Sequence, residues 1–129
     1  MQSHKLWLVK AESDLRASEK LISDELVWDV AIYHTQQAAE KALKAYLAWK
    51  KHPLEKTHNL VKLLELCMQI DPDFIMLRDE AEVLTPFLTA FRDPDAELRP
   101  EKQVLEDAIL KSRQVLKFVK EKINPSEKR

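Results

Sequence analysis

Not one of the 129 residues is glycine. That excludes more than any other feature of the chain. A P-loop, a dinucleotide-binding turn and a glycine-flanked nucleophile elbow all need residues without Cβ, so that backbone can approach phosphate or take positive φ. None of these can be built here. Tight primed hairpins are disfavoured for the same reason, which argues against a β-rich fold. Helices joined by Pro, Asp and Asn turns have no such need. With 45% hydrophobic and 33% charged residues, the composition is that of a globular chain, not a disordered one. At this length one ordinary core forms without staples.

Apolar periodicity predicts an all-α bundle of about five helices over residues 1–124, with a polar tail at 125–129. The first helix runs from about Ser3 to Leu21, with Leu8, Ala11, Leu15, Ser18 and Ile22 at helical spacing. Asp24 can cap the second, from about Glu25 to Lys50. There Ala31, Ala38, Ala42, Ala45 and Trp49 form one stripe, and small alanines admit a close neighbour. Pro53 lies in a loop. Thr57 is the expected N-cap of the third helix, which carries Leu60, Leu63, Leu64, Cys67 and Ile70. Asp71-Pro72 stops one helix and starts the next. The fourth is expected to continue to Phe91 with a kink at Pro86. After an acidic linker, Pro100-Glu101 opens the fifth, with Leu105, Ala108, Ser112, Val115, Val119 and Ile123 on one side.

The net charge of −1 gives no global pull toward nucleic acid, but it is unevenly spread. Residues 41–62 carry a net +5, residues 71–107 a net −7 and residues 108–129 a net +5. Such blocks are solvated helix faces, or they match an anionic ligand or another protomer. The lone Cys67 excludes an internal disulfide and a thiolate zinc cluster, and its apolar neighbours suit a buried small hydrophobe. No apolar run reaches the length of a membrane span, and the N-terminus lacks a signal segment, so a cytoplasmic location is expected. The histidines, His4, His34, His52 and His58, lack the i, i+4 spacing of paired ligands, so no metal site and no cofactor is expected. His4, near the terminus, is expected to be exposed.

Two groups can carry chemistry or recognition. His34, Gln37 and Lys41 share one side of the second helix beside the alanine stripe, where polar groups meet partners across an interface or line a cleft. His58, after Thr57, is expected at the N1 position of the third helix, where free N–H groups favour anions, with Lys56 and Lys62 nearby. Arg92 ends the fourth helix. There its charge complements the helix dipole, or its guanidinium fork reads a phosphate.

Three stretches together resemble the HEPN family: Ala31 through Leu47 with its Gln36-Gln37-Ala38-Ala39-Glu40-Lys41-Ala42 centre, Lys56-Thr57-His58-Asn59-Leu60, and Phe91-Arg92-Asp93-Pro94-Asp95. The resemblance implies an α-helical up-and-down bundle that dimerises. In many members it implies a ribonuclease whose Arg is followed four to six residues later by His. In others it implies a partner, a minimal nucleotidyltransferase, in a toxin–antitoxin-like pair, with nucleotide binding. Arg92 matches the motif arginine, but Asp93 through Arg99 contain no histidine. The segment looks like the Arg-Tyr-Pro-Asp form of members that lack the motif, with Asp93 in place of the tyrosine. The expectation is a non-catalytic, homodimeric protein in which Arg92, His58, Lys41, His34 and Gln37 contact nucleotide or partner. The alternatives are a ribonuclease toxin that takes its base from elsewhere, and a helical adaptor with no nucleotide link.

Overall fold

A computed structural model of the chain describes residues 3–94 and 97–125. Its α-helices are α1 (Ser3–Leu21), α2 (Trp28–Trp49), α3 (Leu60–Ile70), α4 (Arg78–Leu84) and α5 (Lys102–Ile123), and no strand occurs among the described residues. No helix there is long and apolar enough to cross a membrane. Most of the expected tail, residues 126–129, lies outside the described residues.

The alanine stripe is where the bundle closes. Ala31, Ala38, Ala42 and Ala45 are all fully buried, so α2 takes α1 on one flank and α5 on the other. A buried serine marks each seam. Ser18 of α1 donates to the Ala31 carbonyl at 2.7 Å, and Ser112 of α5 donates to the Thr35 carbonyl at 2.8 Å. Both residues of each pair satisfy their polar atoms while the backbones stay close. Farther along α2, Tyr46 packs on Phe74 and Phe74 on Phe118, with ring centroids 4.4 and 5.0 Å apart. Lys122 clasps this end through Asp71 and Asp73. Cys67 is buried under α2 with its thiol against the Leu43 carbonyl, and burial pushes its pKa up to about 12.

Three helix boundaries differ from expectation. The second helix opens as a 3-10 turn, Glu25–Val27, because the Asp24 carboxylate accepts from Leu26 N and tightens the start. The cap of α3 is Asn59, not Thr57: Asn59 Oδ1 accepts from Lys62 N, while Thr57 Oγ1 accepts from Asn59 N one step earlier. The fourth helix is broken in three, a 3-10 stretch Pro72–Leu77, α4, and a second 3-10 stretch Thr85–Leu88. Pro86 has no N–H to continue the α-helical ladder, and Thr85 Oγ1 bonds back to the Ala81 carbonyl, so the chain tightens instead of bending smoothly.

Even without glycine, two turns among the described residues take the left-handed conformation. Lys51 (φ 61°) and Phe91 (φ 66°) adopt it. Lys51 closes a Schellman turn: Lys51 N donates to the Ala48 carbonyl and His52 N to the Leu47 carbonyl. A Cβ in this conformation costs roughly 1–2 kcal/mol. Lys51→Gly should therefore raise stability by about 1 kcal/mol, read as a higher urea midpoint at unchanged slope. A fall would mean that the Lys51 side chain does more than the turn requires.

Candidate functional site

The polar residues of α2 sort into two stripes. Tyr33, Gln37, Glu40 and Lys44 follow one another at steps of four, three and four, and His34 and Lys41 lie one heptad apart beside them.

The second pair meets a residue that sequence reasoning missed. Asp14 of α1, buried at 9% exposure, holds His34 Nδ1 at 2.7 Å and Lys41 Nζ at 2.6 Å, one on each carboxylate oxygen. A carboxylate can only accept, so Nδ1 of His34 carries the hydrogen. Burial opposes the charge on Asp14. The hydrogen bonds from His34 and Lys41, with their positive charge, outweigh it and hold the carboxyl below its ordinary value of 3.8. A carboxyl depressed in the fold contributes stability that is complete above its unfolded pKa and is lost as pH falls through the folded one. The stability gap between wild type and Asp14→Asn should thus close as pH falls through and below the ordinary carboxylate range. A gap that persists unchanged at the acid end would show that the carboxylate charge is not what Asp14 contributes.

Gln37 does not join this group. It turns toward Gln36 Oε1 at 2.7 Å and Glu40 Oε1 at 3.5 Å. Glu40 is only 3% exposed, and it is the hub of the second cluster. Lys44 Nζ reaches Oε2 at 3.0 Å, and Gln36 Nε2 reaches Oε1 at 3.2 Å. His58 Nδ1 lies within 3.1 Å of both oxygens. The expected place of His58 at the start of α3 is corrected here. It precedes the Asn59 cap, its carbonyl accepts from Gln36 Nε2, and its ring is held sideways on Glu40 instead of facing the first-turn N–H groups. The Nδ1 contact leaves Nε2 on the solvent side of a half-exposed ring.

Arg92 arrives by a different route. The left-handed Phe91, its ring stacked with that of Phe87, turns the chain after the last 3-10 stretch. The guanidinium then lies 4.2 Å from the centre of the Tyr33 ring. Tyr33 in turn stands edge-on to His34. Arg92, Tyr33, His34, Asp14 and Lys41 are therefore linked in sequence, and His58 joins the neighbouring cluster through Glu40, the residue before Lys41 on α2. Arg92 also faces a pocket of about 250 Å³ shared with Leu26, Asp29, Phe91, Leu98 and Arg99. Leu26 and Leu98 are 68% and 60% exposed. No histidine stands among the described residues that line this pocket. Asp95 of the same segment lies outside the described residues. Among the described residues no three His, Cys, Asp or Glu side chains converge as a metal set.

Four of the missed residues leave a trace in the sequence. Asp14 is an acid between Ala11, Leu15 and Ser18 on the inward side of α1, where an unpaired charge would not sit. Gln36, Glu40 and Lys44 recur every four residues, the spacing of a Glu–Lys helix pair. Tyr33 leaves no such trace, since its role depends on where Arg92 lands.

Comparison with known proteins gives one family model that matches, the HEPN domain, over residues 4–122. Among solved structures, TT1696 from Thermus thermophilus is similar at 26% identity, with 95% of this chain and 99% of that chain aligned and a TM-score of 0.75. ST0689, described as an archaeal HEPN homologue, is similar in fold at 23% identity, with 96% and 100% aligned and a TM-score of 0.74. No curated protein sequence matches.

Proposed function

The chain belongs to the HEPN family, and on that premise we propose that it is a non-catalytic interaction protein: a homodimer, built through the α2 and α4 region, that acts with a nucleotidyltransferase-type partner in a toxin–antitoxin-like two-component system and contributes to a nucleotide site. The observation that carries this proposal is the surface around Arg92. A guanidinium stacked on Tyr33 between the exposed Leu26 and Leu98 is the composition of an interface centre, where arginine and aromatic residues bear most of the binding energy. The arginine motif lacks its histidine, and no histidine is among the described residues that line the Arg92 pocket. The acids Asp29 and Asp93 beside Arg92 also disfavour an RNA backbone there.

Lys41 and His34 support Arg92 from behind, through Asp14 and Tyr33, so they belong to the same surface. Gln37 and His58 belong to the Glu40 cluster and contact ligand or partner only if the surface extends to that cluster. The proposal is tested by measuring dimerisation, partner binding and nucleotide binding of Arg92→Ala and Lys41→Ala. Losses in at least one of the three support it. Unchanged values in all three for both variants refute the residue assignment.

One observation favours a second function. His58, oriented by the buried Glu40 with Nε2 outward, has the arrangement of a histidine prepared for proton transfer. A ribonuclease would then combine Arg92 with His58 from another protomer. Metal-independent cleavage of single-stranded RNA, lost in both Arg92→Ala and His58→Ala, would establish this function over the first. No cleavage at high protein concentration removes it.

A further inference from the structure

At the end of α2 far from Arg92 the surface has a different character. The start of α1 meets the Schellman turn of α2 around a pocket of about 330 Å³ lined by Ser3, His4, Ala48, Trp49 and Lys51. A second pocket, of about 240 Å³, shares Ser3, Ala48 and Lys51 and adds Trp7, Lys44 and His52 among its walls. No carboxylate is among the described residues that line the first. Tyr33 and Trp49 are sixteen residues apart on α2, so this pocket lies about 24 Å from the Arg92 surface.

His4 is what points to a ligand. Contrary to its expected exposure near the terminus, it is only 9% exposed. Buried polar side chains are ordinarily hydrogen-bonded, yet among the described residues His4 has no hydrogen-bond partner. Among the described residues no sealed side-chain polar atom is left without a partner, and His4 lines the pocket, so its unpartnered ring nitrogens are open to the pocket and not sealed in the apolar core. The nearest charges are the ammonium groups of Lys51 and Lys50, with the Glu55 carboxylate on the wall of the adjoining pocket. Lys51 is on the wall, and Lys50 lies over Trp49 at 4.5 Å. The carbonyls that give the end of α2 its negative pole are occupied, Tyr46 by Lys50 N, Leu47 by His52 N and Ala48 by Lys51 N. The opening turn of α1 presents N–H groups that have no partner within the helix. An anion is therefore stabilised here by the start of α1 and by the Lys51 ammonium, beside an α2 end whose negative pole is weakened by its capped carbonyls, and an indole forms part of the wall.

We propose that this pocket binds a small phosphate monoester carrying a flat ring. The phosphate is held by His4, Lys51 and the start of α1, and the ring lies against Trp49. The site is independent of the function proposed for the Arg92 surface. Phenyl phosphate is the probe, followed by tryptophan fluorescence and calorimetry on the full chain, with inorganic phosphate and phenol as its two halves. Phenyl phosphate should bind saturably and more tightly than either half. Lys51→Gly keeps the left-handed turn while removing the ammonium, and it should weaken binding at least tenfold, as should His4→Gln. Arg92→Ala should leave binding unchanged. No saturable binding to the wild-type protein overturns the proposal. So does equal affinity in the folded Lys51→Gly variant, and so does loss of binding in Arg92→Ala.

Discussion

Glu40→Ala should destabilise the fold by about 3–5 kcal/mol, a large share of the roughly 5–15 kcal/mol that holds a domain together. The reason is what remains after the carboxylate goes. Lys44 is 7% exposed and has its ammonium on Glu40; without that partner it is a buried, uncompensated charge. Gln36, fully buried, loses one acceptor, and the His58 ring loses its anchor on α2. A buried ion pair contributes little net energy against a well-packed apolar pair, whereas half of one is costly. The double variant Glu40→Ala/Lys44→Met should accordingly recover most of the loss. Urea midpoints for the two single variants and the double form the cycle. A single-variant cost below about 1 kcal/mol, or a double variant as unstable as Glu40→Ala, would mean that Lys44 finds water or another partner and that the cluster does not organise the middle of α2.

Arg92→Ala should do the opposite: leave stability within about 1 kcal/mol and remove binding. Arg92 is exposed, and its described contact is the Tyr33 ring, an interaction worth roughly 0.5–1 kcal/mol at such a site. An arginine at the centre of an interface ordinarily costs about 2 kcal/mol or more when truncated. The expected loss of partner affinity is therefore about thirtyfold or greater. Arg92→Lys should restore little, because a compact ammonium neither stacks on Tyr33 as a plane nor forks. Tyr33→Ala should reproduce part of the effect by freeing the guanidinium. Titration of the partner against each variant checks this. Full affinity in Arg92→Ala would remove the arginine from the account, and a loss that tracks unfolding would make it a structural residue.

The bundle was legible because its signals are local. The alanine run of the second helix, the serines at the seams and the Asp-Pro start at Asp71 each state their role in a few residues, and each is found where its spacing puts it. The errors came where two polar residues compete for one role. Thr57 and Asn59 can both cap α3; the choice of Asn59 follows from Glu40 and Gln36 holding His58 to α2, a contact across 18 residues or more that no local pattern displays. The site was half legible for the same reason. The spacing of His34, Gln37 and Lys41 gave a shared side of a helix. Which of them turn to Asp14 and which to Glu40 depends on the neighbouring helix. Arg92 was visible as a residue, but its seat on Tyr33 depends on a left-handed phenylalanine that only the path of the chain requires.

The central claim is that this chain works as one half of a complex. Its most direct test is affinity capture of the tagged protein from its own host, with the bound proteins identified by mass spectrometry and the complex mass measured by light scattering. The account predicts a nucleotidyltransferase-type protein in near-equal amount, with a mass that requires two copies of this chain, and the loss of that partner with Arg92→Ala. A bare monomer, or a homodimer that captures no such protein, would contradict it.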